Sequence, residues 1–214
     1  MTYGTLQQEI ISALEVVDPA TFDAAREADR RVRFLAEYLI TSGARGLVLG
    51  ISGGVDSSVA GRLSQLACES VRDSGREARF VAVRLPYHQQ RDEEDARRAL
   101  EFIRPDETVT VNIGPGTDAL WEQVLAAGTP VTDAKDDFHK GNVKARMRMT
   151  AQYAIAGARG MLVVGTDQAA EACVGFFTKH GDGAADITPL FGLPTRRVRE
   201  IARALGAPES LVAK

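Results

Sequence analysis

Short apolar runs alternate with stretches of helical spacing from Gly46 almost to the end of the 214-residue chain. The runs are Gly46–Ile51, 78–86, 108–113 and 161–166, with Ile187–Leu190 a candidate fifth. Apart from 108–113 (TVTVNI), they read as apolar runs instead of strict alternation, which is the pattern of strands buried on both faces of a parallel sheet. Between them lie helical segments. The first covers about Ser57–Arg72, with Val59, Leu63, Leu66 and Ala67 facing inward. Next come Ala96, Ala99, Leu100 and Ile103 behind the acidic turn 91–95, and then about 119–127. After a polar loop to about Lys140, residues 141–158 carry Val143, Met147, Ala151 and Ala154 on one face. Two shorter helices are expected at about 168–174 and 196–205. Strand–helix alternation of this kind predicts a three-layer α/β/α fold with a parallel, doubly wound sheet. Ligands of such sheets collect beyond the C-terminal strand ends.

Two helices precede the sheet unit, over about residues 5–42. Leu6, Ile10, Ala13, Leu14 and Val17 keep helical spacing up to Asp18-Pro19, and Ala28, Val32, Leu35 and Leu39 form a second stripe ending at Gly43. A chain of this length, 44% hydrophobic and 26% charged, suffices for one domain with its own core. The net charge of −3 argues against general affinity for nucleic acid or anionic membrane. No apolar run reaches the roughly 18 residues of a membrane span, and no basic-then-apolar leader is seen, so the cytoplasm is the expected location. Cys68 and Cys173 form no CxxC pair and read as reduced thiols.

The segment after the first run, Gly50–Ser58, reads GISGGVDSS. Gly53 and Gly54 let the backbone approach a ligand, the following helix start offers free N–H groups, and Ser52, Ser57 and Ser58 add hydroxyls. A Walker A loop would need a lysine that is missing here. A Rossmann fingerprint would need an acid about 20 residues on, whereas the second run ends in Arg84-Leu85-Pro86. Arg84 suits adenine stacking or phosphate instead.

SGGVDS resembles the pyrophosphate loop of the ATP pyrophosphatase superfamily, also called adenine nucleotide alpha hydrolase-like. Three later strings narrow the resemblance: FHKGNVKARMRM (Phe138–Met149), LVVGTDQAAEACVGFFTKHGDGAAD (Leu162–Asp186) and LGAPESL (Leu205–Leu211). With GISGGVDSS and VAVRLPYHQQRDEEDA (Val81–Ala96) they resemble the ammonia-dependent NAD synthetase family over nearly the whole chain. That resemblance implies a homodimer that amidates deamido-NAD with ammonia, ATP and Mg²⁺. Glutamine-using relatives carry a further amidase domain, for which there is no room here.

Carried over residue by residue, the resemblance implies that Gly50, Ile51, Ser52, Gly53, Gly54, Val55, Asp56 and Ser57 bind ATP, together with Arg84, Thr166 and Thr195. Asp56 and Glu171 are the implied Mg²⁺ ligands. Arg146, Lys179 and Asp186 are the implied contacts to deamido-NAD, and Asp182 is the candidate to receive a proton from ammonium. Each has a plainer alternative. Asp56 could be a helix N-terminal acid, Glu171 a solvated face, Thr166 a helix cap and Asp182 an Asp-Gly turn. His88, His139 and His180 stand singly and form no catalytic triad.

The chain departs from the family in three places. Thr195 keeps the position of a lysine that reaches the ATP phosphates but not its charge. Arg196 is a candidate substitute, although it points about 100° away on a helix. GTDQ stands for the more usual GTDH. The chain also stops at Lys214, where family members continue for roughly sixty residues, so it is expected to lack their C-terminal segment. Two other classes remain open. One is another ATP pyrophosphatase, an amidase or a tRNA-thiolation enzyme; the other is a non-catalytic adenine-nucleotide-binding module.

Overall fold

The computed structural model describes residues 4–88 and 93–213. Its four strands are β1 (Gly46–Gly50), β2 (Arg79–Arg84), β3 (Glu107–Thr110) and β4 (Leu162–Val163). They lie in the order β3-β2-β1-β4, and all pairings are parallel. In the register Leu47 lies beside Phe80 on one side and beside Leu162 on the other. The helices are α1 (Thr5–Ala13), α2 (Ala24–Ser42), α3 (Val55–Asp73), α4 (Glu93–Ile103), α5 (Gly114–Ala126), α6 (Asp133–Arg159), α7 (Ala169–Val174), α8 (Thr195–Ala204) and α9 (Glu209–Val212).

Side chains that alternate along the inner strands feed two cores. Leu47, Leu49, Phe80 and Ala82 face Leu35 of α2, Leu63 of α3 and Ile201 of α8. Val48, Val81 and Val83 face Ala156 of α6. Apolar residues are therefore needed at every position of β1 and at nearly every one of β2, which is why these strands read as unbroken runs. The chain winds outward from β1 to β3 and then returns to place β4 on the opposite side of β1. That reversal opens a crevice above the C-terminal ends of β1 and β4.

Several expectations need correction. α1 stops at Ala13, short of Val17; Glu15 takes a φ of 49° and the Val17 N–H donates to the Gly192 carbonyl at 3.1 Å. Leu6 and Ile10 are exposed, with no described residue packed over them, and Ile11 and Leu14 are half-buried instead. The expected polar loop before Lys140 is helical from Asp133. Its first turns are gripped by α5, with Trp121 Nε1 donating to Asp136 at 3.1 Å and Lys140 paired to Asp118 at 2.9 Å. The buried positions of α6 are Ala145, Gln152 and Ala156, whereas Ala154 is exposed. Of the expected stripe, Val143, Met147 and Ala151 are half-buried, with Met147 and Ala151 packed against the second core, and only Ala154 departs from it. α5 begins at Gly114 rather than Ala119, with Pro115 in its first turn. Ile187–Leu190 forms no strand, only one parallel bridge from Val164 to Ile187; Pro189 has no N–H to extend it. The expected acidic turn is seen as Glu93, Glu94 and Asp95 at the start of α4, while Arg91 and Asp92 lie outside the described residues. Among the described residues no helix is long and apolar enough to cross a membrane.

Candidate functional site

A cleft of about 1030 Å³ opens at the reversal point between β1 and β4. One wall is the loop between β1 and α3. The Ser52 and Ser57 hydroxyls lie 3.0 Å apart, and the Ser57 hydroxyl accepts from the Ser52 N–H at 3.3 Å. Ser58 donates to the Gly54 carbonyl at 2.7 Å, tying the loop to the first turn of α3. Gly53 has a φ of 85°, and a Cβ there would meet the Ala96 N at 3.1 Å, so α4 closes over the loop where only glycine fits. The result is a shaped turn whose serines and helix start face the cleft, an arrangement suited to phosphate oxygens.

Four carboxylates gather below this loop. Asp56, in the first turn of α3, has its Oδ1 buried without a hydrogen-bond partner. Burial raises its pKa, and the nearby Arg199 charge and Gln168 side chain offset only part of that rise. Glu171 on α7 is also raised, first by burial and then by the charges of Asp56, Asp167 and Asp182. Its carboxylate accepts from the Gln168 N–H at 3.4 Å as part of a capping box on α7. Asp167 is raised by burial and by Asp182. Half-buried acids held toward their neutral form, with one oxygen orphaned, form a site short of a cation. Among the described residues no group of three ligating side chains makes a closed metal cage. Asp56 and Glu171 alone fit the way Mg²⁺ is usually bound, by one or two carboxylates together with phosphate oxygens.

The facing wall comes from α6 and from the loop after α7. The buried Gln152 accepts the Gly50 N–H at 2.6 Å, fixing the end of β1. Asn142 accepts from Thr178 at 2.9 Å and Arg146 donates to the Lys179 carbonyl at 3.2 Å, so α6 holds the loop in place. Gly183 faces Asp167, and a Cβ there would lie 2.5 Å from the Asp167 Oδ1.

The expected residues divide into groups. Gly50, Ile51, Ser52, Ser57, Thr166, Glu171 and Asp182 line the cleft together. Gly53, Gly54, Val55 and Asp56 complete the loop behind the serines. Arg146 and Lys179 meet each other outside that lining. Asp186 is turned to the sheet, accepting from the Val163 N–H at 2.8 Å and from Tyr153 at 3.4 Å. Arg84 pairs with Glu93 of α4. Thr195 donates to Gln168 at 3.0 Å, whereas Arg196 is exposed; the cation that α8 turns toward Asp56 is Arg199. Sequence reasoning missed Arg199, Asp167 and Gln168. The last two lie in the GTDQ string, which marked the place without indicating their roles. Also missed was a network at the cleft edge, where Asp118 holds Lys140, Tyr87 and His88.

Comparison with known proteins agrees with this geometry. The sequence model described as NAD synthase matches residues 27–214. The chain is 60% identical over 210 residues to an NH(3)-dependent NAD(+) synthetase of Streptomyces coelicolor, covering 98% of this chain and 75% of that protein. Its fold superposes on the crystal structure of NAD+ synthetase from Burkholderia pseudomallei with a TM-score of 0.90 at 57% identity, over 98% of this chain and 76% of that one. An NMN synthetase structure from Francisella tularensis is more distant, with a TM-score of 0.74 and 34% identity over 90% of this chain and 75% of that one.

Proposed function

This chain belongs to the NAD synthase family, and from that premise we propose that it amidates deamido-NAD with ammonia, converting ATP to AMP and pyrophosphate and releasing NAD. The observation that carries the reading is the cleft itself. A glycine–serine loop at a helix start stands opposite buried carboxylates at the point where the strand order reverses.

A carboxylate is a poor acyl electrophile and must first gain a leaving group. The nicotinate carboxylate attacks the α-phosphorus, pyrophosphate departs, and an acyl-adenylate forms. The loop around Gly53 and Gly54 and the start of α3 receive the departing charge. Asp56 and Glu171 would hold Mg²⁺, which when bound neutralises charge on the phosphate oxygens. Thr166, Thr195 and Arg84 complete the ATP site in this reading, and Arg146, Lys179 and Asp186 bind the dinucleotide. No protein nucleophile is needed, because positioning dominates such chemistry. Ammonium has no lone pair to attack with, so Asp182 takes its proton; ammonia then displaces AMP from the adenylate.

Residues 1–214 act as one unit in this reading, and two copies pair as a homodimer. Phe138, Phe176 and Phe177, at 68%, 79% and 62% exposed beside the cleft, support such a pairing. The test supplies deamido-NAD, ATP and Mg²⁺ with either ammonium or glutamine. With ammonium, AMP and pyrophosphate should form one for one with NAD, and glutamine should not replace it. Formation of ADP and phosphate would overturn the α-phosphate route. Faster turnover of nicotinate mononucleotide would move the acceptor to the mononucleotide class.

A further inference from the structure

α8 carries four arginines, and three have an evident place. Arg197 bonds Glu200 at 2.6 Å and the Pro19 carbonyl at 3.3 Å while stacking on Phe22. Arg203 bonds Glu209 at 2.7 Å, and Arg196 projects into solvent. Arg199 is different. Like Arg197 it is half-buried with its Nε shielded from water and unpartnered, but unlike Arg197 it forms no ion pair or side-chain hydrogen bond among the described residues.

Asp56, whose Oδ1 is orphaned in the same way, lies within its electrostatic reach. Gln168 connects the two. Thr195, one turn before Arg199 on the same face of α8, reaches Gln168 at 3.0 Å, and Gln168, 3% exposed, lies beside Asp56. Charges of opposite sign that are shielded from water normally close into a pair, since each is costly to desolvate alone. Here an acid lacks a cation and a base lacks an anion, within electrostatic reach of each other but beyond ion-pair distance. A metal-bound polyphosphate carries both missing charges. The glycine loop that would admit it leads directly into α3, where Asp56 sits.

We infer that Arg199 is a phosphate-binding residue of this site, contacting the pyrophosphate portion of ATP across from Asp56. The inference rests on the proposed reading of the site as one for ATP. A guanidinium suits the role because its planar fork can bind two phosphate oxygens at once and stays charged at any working pH. Gln168, held by Thr195, would keep the Asp56 carboxylate turned toward the same point.

Binding of inorganic pyrophosphate, ATP and AMP, each with and without Mg²⁺, is measured by titration calorimetry on the full chain. Thermal unfolding of each variant is recorded first. R199Q should weaken pyrophosphate and ATP by roughly tenfold or more, the size expected for losing a hydrogen bond to a charged group. AMP affinity should stay at the wild-type value, because it has no β- or γ-phosphate. R196Q serves as the control from the same helix and should bind all three as the wild type does. If R199Q does not fold, R199K serves in its place; loss of the fork should still weaken pyrophosphate severalfold with AMP unchanged. Wild-type pyrophosphate affinity in the folded R199 variant, or equal losses for AMP and pyrophosphate, overturns the inference. Failure of the proposed function looks different: the wild type would form no NAD while its pyrophosphate binding still depended on Arg199.

Discussion

Gly183 shows how tightly single residues are specified here. A methyl group at its Cα would stand 2.5 Å from the Asp167 carboxylate, which itself lies next to Asp182. Gly183→Ala must therefore displace Asp167 or the loop that carries Asp182. A shift of about 1 Å at a reacting group costs on the order of 100-fold in rate, so turnover should fall by that order. ATP binding should stay near wild type, since the β1–α3 loop is untouched. Steady-state kinetics with ATP titration checks this, and an unchanged rate would remove the Asp167–Asp182 pair from the chemistry. At this scale the sequence was informative where a residue stood inside a recognisable string, as with Ser52, Asp56 and Glu171. It was silent on Arg199, which is one of four arginines in ten residues of α8 and stands out only by what it faces.

Among the elements, α6 organises the site. It is 27 residues long and touches the cleft through Gln152, Arg148 and Asn142. Gln152 is 2% exposed and its Oε1 is the acceptor for the Gly50 N–H, the last amide before the loop. Gln152→Leu keeps the volume but orphans that amide, at a cost of about 1–3 kcal/mol. Urea unfolding should show that loss, and the KM for ATP should rise because the loop start is no longer anchored. A stability change under about 0.5 kcal/mol would mean that the bond is dispensable. The helical periodicity of this segment was readable from the sequence, and its inward face only in part. Spacing places Val143, Met147, Ala151 and Ala154 in one stripe. Met147 and Ala151 do pack on the core beside the sheet, but full burial falls on Ala145, Gln152 and Ala156, because close approach rewards small side chains and a buried glutamine only where a partner amide waits.

For the molecule as a whole, the carboxylate cluster should make stability depend on pH and, where it holds the proposed Mg²⁺, on that cation. Asp56, Asp167 and Glu171 all have folded pKa values above their unfolded ones, through burial first, with like charge adding to the rise of Asp167 and Glu171. The folded state therefore holds their protons more tightly. The stability they contribute is complete below the unfolded values, about 4, and is lost as pH rises through the folded ones. A divalent cation restores part of it once the acids are charged. Mg²⁺ should accordingly raise the Tm more at pH 7.5 than at pH 4.5, as read by calorimetry; an equal shift at both would separate the cluster from metal binding. The sequence by itself determined the layered parallel fold, since a strand buried on both faces must be apolar throughout and its neighbours must be amphipathic. It also determined the glycine–serine loop at a helix start, because glycine there admits the close backbone approach that the turn requires. Only the tertiary structure decided which charges meet. Asp56, Asp167, Glu171, Asp182 and Arg199 come from three helices and two loops, as far as 143 positions apart in the numbering of the 214-residue chain, and electrostatic coupling depends on distance in space rather than along the chain.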